Sequence, residues 1–264
     1  MKYLPWIFIL MTLSVSAQEN AGPRLTALAS AGVAVQDVWS LKQNQAGSAA
    51  LQKVVLALGY QQPFAGQELS VQSALLAMPY QKGTWGLSFQ RYGFSVYSEQ
   101  QSGLSYARKF GDKLFAALTF NYHQLKISGY GSAQTFSVSA GMQYQPVENL
   151  WMGAHIANPG RSGYKQKVEA LIPVKIEFGT AYRFSDKVLV AGSWTKELNS
   201  NTDAKTGLEY KPIIWLDLRG GISVNPFKQY AGFGLNAQKF RFDAAASFHP
   251  YLGYSPQIAF SYEF

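Results

Sequence analysis

Side chains along most of this chain alternate between two faces with a period of two, and the final eight residues do so without a break. Ile258, Phe260, Tyr262 and Phe264 fall on one face of an extended strand, and Gln257, Ala259, Ser261 and Glu263 fall on the other. Successive side chains of a strand point to opposite sides, so one face is wholly apolar and the other small or polar. Such a strand needs apolar surroundings on one side right up to its last residue. Closure of a membrane β-barrel supplies them, because the last strand pairs with the first and no edge is left unpaired.

The same alternation begins near residue 53 and hardly stops. Val54, Leu56, Leu58 and Tyr60 share a face, as do Leu114, Ala116, Leu118, Phe120 and Tyr122. The longest run sets Ile172, Val174, Ile176, Phe178, Thr180, Tyr182 and Phe184 against Pro173, Lys175, Glu177, Gly179, Ala181 and Arg183. The pattern predicts about fourteen strands, over 53–60, 67–79, 83–91, 100–110, 114–124, 134–145, 149–158, 172–184, 187–197, 204–211, 214–223, 229–237, 239–248 and 257–264. The run 67–79 changes phase near Ala74-Leu75, which predicts a bulge or bend there.

Composition agrees with dispersal of apolar residues. Hydrophobic residues make up 47% of the 264, aromatics 15% and charged residues only 14%, against about 25% charged in an ordinary soluble domain. Mean hydropathy is nevertheless −0.08, and no run of about twenty apolar residues is present to span a bilayer as a helix. The fold class read from this is all-β: a transmembrane antiparallel up-and-down barrel.

Connection lengths test the reading independently. Both termini of a single-chain bacterial barrel lie on the periplasmic side, so every second connection is a short turn. The even-numbered connections are short, at 80–82, 111–113, 146–148, 185–187, 212–213 and around Lys239. The odd-numbered ones are longer, at 61–66, 92–99, 125–133, 159–171, 198–203, 224–228 and 249–256.

Charges then fall on the inward face. Lys175 with Glu177, Glu209 with Lys211, Asp217 with Arg219, and Arg241 with Asp243 read as opposite-sign pairs lining the lumen, with Arg183 on the same side. A charge on the lipid face costs roughly 2–4 kcal/mol at the midplane. Arg108 and Lys196 break the rule, and both fall near strand ends, where a long side chain reaches the interface. Aromatics near strand ends, such as Trp85, Tyr144, Tyr182, Phe184 and Trp194, read as interfacial girdles.

The start reads as a secretion signal over residues 1–17. Lys2 supplies the positive end, residues 4–13 form a short apolar core, and Val15-Ser16-Ala17 is a small-residue cleavage site before Gln18. Residues 18–50 are rich in Ala, Gly, Ser and Gln and read as a plug or periplasmic lead-in, with a short helix within 25–39 interrupted at Gly32; residues 51–264 read as the barrel. The net charge is +8, about +7 once Lys2 is removed. The basic residues are scattered among acids, which argues against nucleic acid as a partner and leaves outer-membrane lipid and lipopolysaccharide.

Catalytic patterns do not emerge. His123, His155 and His249 lack the spacing of a metal site. No Gly-x-Ser-x-Gly elbow, phosphate loop or cysteine is present. The expectation is a non-enzyme without a cofactor. Arg161 with Tyr164-Lys165-Gln166-Lys167 makes a basic, aromatic patch in the longest outer connection.

Ala31-Gly32-Val33-Ala34-Val35, Asp37-Val38-Trp39 and Asn44-Gln45-Ala46-Gly47 together resemble the lead-in of the long-chain fatty-acid transporter (FadL-like) superfamily. They are nearer to its branch that includes the PorV and PorQ proteins of type IX secretion. Residues 105–114 also resemble a recurrent hairpin of that branch, and the C-terminal run resembles the sorting signature of outer-membrane barrels. The resemblance implies a fourteen-stranded barrel behind a plug motif of Asp37, Trp39, Asn44, Ala46 and Gly47 with a structural role. It implies passage of small hydrophobic molecules through the lumen or a lateral opening; the alternative is a docking barrel that binds secretion-system proteins or cargo. The chain departs from the family in having Gln45 where Pro is usual, and in its short length, which leaves little room for a large plug. A lumen face mostly of Gly, Ala, Ser and paired charges weighs against a greasy internal pocket.

Overall fold

A computed structural model describes residues 21–64, 68–164, 170–198 and 200–264. The expected secretion signal lies outside them, as do Lys165, Gln166 and Lys167 of the basic patch. Fourteen antiparallel strands close into one barrel, each paired with its neighbours in sequence and the last with the first. They are β1 (Val55–Gln61), β2 (Ser70–Tyr80), β3 (Gly83–Gly93), β4 (Tyr97–Phe110), β5 (Leu114–Ile127), β6 (Gly131–Val147), β7 (Leu150–Ala157), β10 (Lys175–Ser185), β11 (Val188–Glu197), β12 (Asp203–Ile213), β13 (Leu216–Val224), β14 (Phe227–Ala237), β15 (Phe240–His249) and β16 (Gly253–Glu263). Between β7 and β10, β8 (Gly163–Tyr164) and β9 (Ala170–Leu171) form a separate two-stranded ribbon.

The seam is continuous. Val55 lies opposite Glu263 and Leu58 opposite Phe260, and the Phe264 N–H donates to the Val54 carbonyl at 3.0 Å. Outward positions carry the apolar residues: Leu118 is 65% exposed and Phe260 59%. Apolar area left in water forfeits about 25 cal/mol per Å², so this belt belongs against acyl chains. Inward positions such as Ala57, Ser105, Ala117 and Ser139 are buried.

The turns on the side of the C-terminus are tight. The connections 62–69, 158–174 and 198–202 carry most of the length at the opposite, outer end. The remaining outer connections are shorter than expected, because the ladder hydrogen bonds continue past the apolar alternation. β4 and β5 run for 14 residues each and β6 for 17, more than the ~9–11 that a tilted strand needs to cross a bilayer. Their outer ends therefore stand clear of the membrane.

Two local expectations are corrected. No bulge interrupts β2; its register with β1 and β3 is continuous through Ala74 and Leu75. The change of phase arises because Val71 and Leu75 point inward and are buried. Leu75 joins a lumenal apolar cluster with Trp39 and Leu41. The helix within 25–39 is only α1 (Pro23–Ala27). It stops before Gly32, because Ala29 and Ser30 take left-handed backbone angles of φ 57°. Two 3-10 turns follow, η1 (Val38–Lys42) and η2 (Gln45–Ala50).

Candidate functional site

Residues 21–50 lie inside the barrel, and the wall is shaped to receive them. Eight wall glycines, on β1, β3, β6, β7, β10, β12, β13 and β14, stand where an added Cβ would meet this inner segment. Gly59 faces Trp39, Gly86 faces Leu41, Gly153 and Gly179 face Val33, and Gly207 faces Leu28. The small lumenal residues thus mark a cradle rather than an open pore.

Polar contacts fix the segment at mid-height. The Asn44 side chain is fully buried. Its Nδ2 donates to the carbonyls of Val33 at 2.7 Å and Met142 at 3.1 Å, and its Oδ1 accepts from the Ala46 N–H. Gln143 Nε2 on β6 donates to the carbonyls of Val33 and Val35 at 2.9 and 3.2 Å. Gly47 packs against Ser40 and the Val35 carbonyl. Asp37 caps η1 by accepting from the Trp39 N–H, and its own N–H donates to the Ser40 hydroxyl oxygen. Asp37, Trp39, Asn44, Ala46 and Gly47 are therefore all brought into the lumen.

Toward the inner end, charges from the segment and the wall join in one network. Arg24 bonds Asp37 at 2.7 Å and Glu209 at 2.8 Å. Arg219 reaches Glu209, Asp217 and Asp243 at 2.7, 2.8 and 2.7 Å. Arg241 contacts Asp217 and Asp243, and Lys211 lies 3.9 Å from Asp217. Four cations face four anions, so the group, buried except at Lys211 and part of Arg241, is formally neutral, which offsets the cost of desolvating its charges. Burial raises the Asp37 carboxyl, but the charges of Arg24 and Arg241, with the hydrogen bonds from Arg24 and the Trp39 N–H, together outweigh it and hold the group below the ordinary range.

Most expected lumen charges thus meet, with different partners in two cases. Glu209 and Lys211 do not pair with each other: Glu209 takes Arg24 and Arg219, and Lys211 turns to Asp217. Residues two apart on a strand share a face but leave room for a third charge between them, and the sequence did not single out Arg24. Lys175 and Glu177 pair at 3.2 Å, where Glu177 also contacts His155 at 3.1 Å. Arg183 lies over the Trp151 ring, 5.3 Å from its centroid.

Space remains above the segment. A vestibule of about 630 Å³ rests on Ala21, Thr26, Ser30, Lys42 and Gln43 of the segment and is lined by Lys205, Lys228 and Tyr230 of the wall. It shares Tyr92, Lys175 and Glu197 with a second cavity of about 280 Å³. That cavity has a polar floor of Gln101, Asn121 and His123 and an apolar side of Leu125, Ile127, Ile172 and Pro173. The lumen does hold an apolar pocket side, contrary to the expectation from its small residues. It was missed because its residues come from strand tips and a loop. A pocket of about 150 Å³ lies below, lined by Arg24, Arg183, Glu209 and Lys211.

The sequence matches no family model, and no curated protein is significantly similar to it. Solved structures match the fold. The monoaromatic hydrocarbon channel CymD superposes with a TM-score of 0.75 at 12% identity, covering 92% of this chain and 97% of that one. The toluene transporter TbuX of Ralstonia pickettii gives 0.68 at 12% identity, with 92% and 98% covered. A FadL homologue of Pseudomonas aeruginosa gives 0.62 at 13% identity, with 89% and 96% covered.

Proposed function

We propose that this chain is a bacterial outer-membrane barrel that binds small hydrophobic molecules at the outer end of its lumen and passes them inward. Residues 21–50 act as the plug, and the first 17 residues as a cleaved signal. The observation that carries the reading is the 280 Å³ cavity: an apolar side over a polar floor, inside a barrel, directly beside a vestibule that ends on the plug. Pockets of this make-up take small molecules whose few polar groups set orientation. The outward belt contacts lipid and lipopolysaccharide, and no catalytic role belongs to the reading.

Passage runs through the lumen in this proposal. Ladder registers on β2, β3, β4 and β5 are unbroken. Among the described residues the ladder shifts register at the inner ends of β6, β10 and β12, which favours a closed wall over a lateral opening. The names of the similar structures make a monoaromatic hydrocarbon the first probe. Cells carrying the barrel in their outer membrane should take up radiolabelled toluene faster than cells lacking it; equal rates would overturn the transport reading. Stoichiometric recovery of secretion components or cargo with the barrel from mild detergent would support the docking alternative, and with it the nearness to the PorV and PorQ branch.

A further inference from the structure

We infer that the 280 Å³ cavity is a site for a small organic ammonium ion, held by the Glu99 carboxylate and the rings of Tyr92, Tyr97 and Tyr164. The inference rests on the reading of this cavity as a ligand site, but not on passage through the barrel.

All four residues line the cavity. Tyr92 and Tyr97 stand at 84° to each other with centroids 6.4 Å apart, an edge-type pair at the cavity. Phe94 lies nearly parallel to Tyr97, at 27° and 6.4 Å, and braces it. Tyr164 belongs to β8, which packs against β6. Burial, and then the charge of Glu99, push its phenol up to about 12. Ring faces carry the negative end of the aromatic quadrupole and attract cations.

Glu99 supplies a full charge. It accepts a hydrogen bond from the Tyr97 hydroxyl, and among the described residues no lysine, arginine or histidine forms an ion pair with it. Two described cations near the cavity have partners of their own. Lys175 lies 3.2 Å from Glu177, and Lys42 donates to Gln101. A neutral hydrocarbon would fill the apolar side and leave the half-buried Glu99 carboxylate, which the Tyr97 hydroxyl bonds, without a countercharge. An ammonium carrying alkyl groups satisfies both sides at once, with its charge toward Glu99 and the rings and its alkyl groups toward Leu125, Ile127 and Pro173. At about 280 Å³ the cavity sits at the small end of ligand pockets, which start near ~300 Å³. The strands separate it from the bilayer, and it opens to the vestibule, so the ligand arrives as a free solute and not as a lipid headgroup.

The test is calorimetric titration of the folded barrel in detergent with choline and with 3,3-dimethylbutan-1-ol, its uncharged carbon isostere. Choline should bind about ten-fold tighter, as a cation–π site with a carboxylate predicts, and in Glu99→Gln that ratio should fall to about one. Equal affinity for the two probes, or an unchanged ratio in E99Q, would overturn the inference. If the alcohol binds and choline does not, the ammonium assignment falls while the hydrophobic cavity stands. If neither binds a barrel shown to be folded by its heat-modifiable migration, the ligand site itself falls, and the proposed function loses its carrying observation.

Discussion

The Trp39 indole occupies the room that a side chain at Gly59 would need: a Cβ there would lie 2.6 Å from the ring carbon Cη2. Both belong to a packed interior, where added volume costs typically about 1–3 kcal/mol. Gly59→Val should therefore displace the inner segment while the outward face of β1 is unchanged. Red-shifted tryptophan emission and new protease cuts within 21–50, in a barrel that still migrates as folded, are the expected results.

Arg24→Ala should release the same segment by a different route. It leaves Asp37 and Glu209 short of a buried partner, and breaking one side of a buried pair costs about 3–5 kcal/mol. Arg24→Lys should rescue only in part. The guanidinium reaches Glu209 through two nitrogens and Asp37 through a third, whereas an ammonium offers a single point of charge. Rates of proteolysis within 21–50 rank the three proteins.

Acid should loosen this latch as well. The Asp37 carboxyl is held below its ordinary value, near 3.9 in an unfolded chain. Its contribution is complete above that value and is lost as the pH falls through the depressed one. Protease sensitivity of the segment should be constant from pH 7 to about pH 5 and rise below about pH 4. Asp37→Asn should remove most of that dependence.

Asn44→Asp tests the mid-height anchor. The substitution keeps the shape but replaces the donor to the Val33 and Met142 carbonyls with an anion facing them. A loss of about 2–4 kcal/mol in segment docking is expected, since a buried charge is left unpaired. Hydrogen exchange at the amides of Val35 and Ala46 would report it.

Phe264→Ser addresses closure. The Phe264 ring packs edge-on against Tyr262, with centroids 4.8 Å apart, and its N–H is the last hydrogen bond of the seam. Less heat-modifiable barrel should reach the outer membrane. Normal levels would remove the terminal residue from any role in assembly.

The wall was legible because lipid on one side and a small-residue lumen on the other impose a period of two on every strand that crosses. Ile258, Phe260 and Tyr262 are the plainest case. Legibility ended where that asymmetry ended. Tyr92, Tyr97 and Glu99 sit at strand tips above the bilayer, where neither face must be apolar, and the sequence places them in a loop. Val71 and Leu75 misled for the converse reason: an apolar residue turned inward toward Trp39 breaks the phase as a bulge would. Asp37 and Asn44 stood out through their motif, but Arg24 is a single charge in a segment without periodicity, and its partner Glu209 lies 185 residues away. Pairing across that distance follows from the closed ring and not from local pattern.

The pairing of β1 with β16 also imposes an order in time. Residues 21–50 lead directly into β1, one of the two strands that meet when the ring shuts. Until Phe264 reaches Val54, the cradle of glycines is an open sheet across which the segment can lie. After that, only the two ends of the cylinder give access. A segment left outside at the moment of closure would have to thread its way back in.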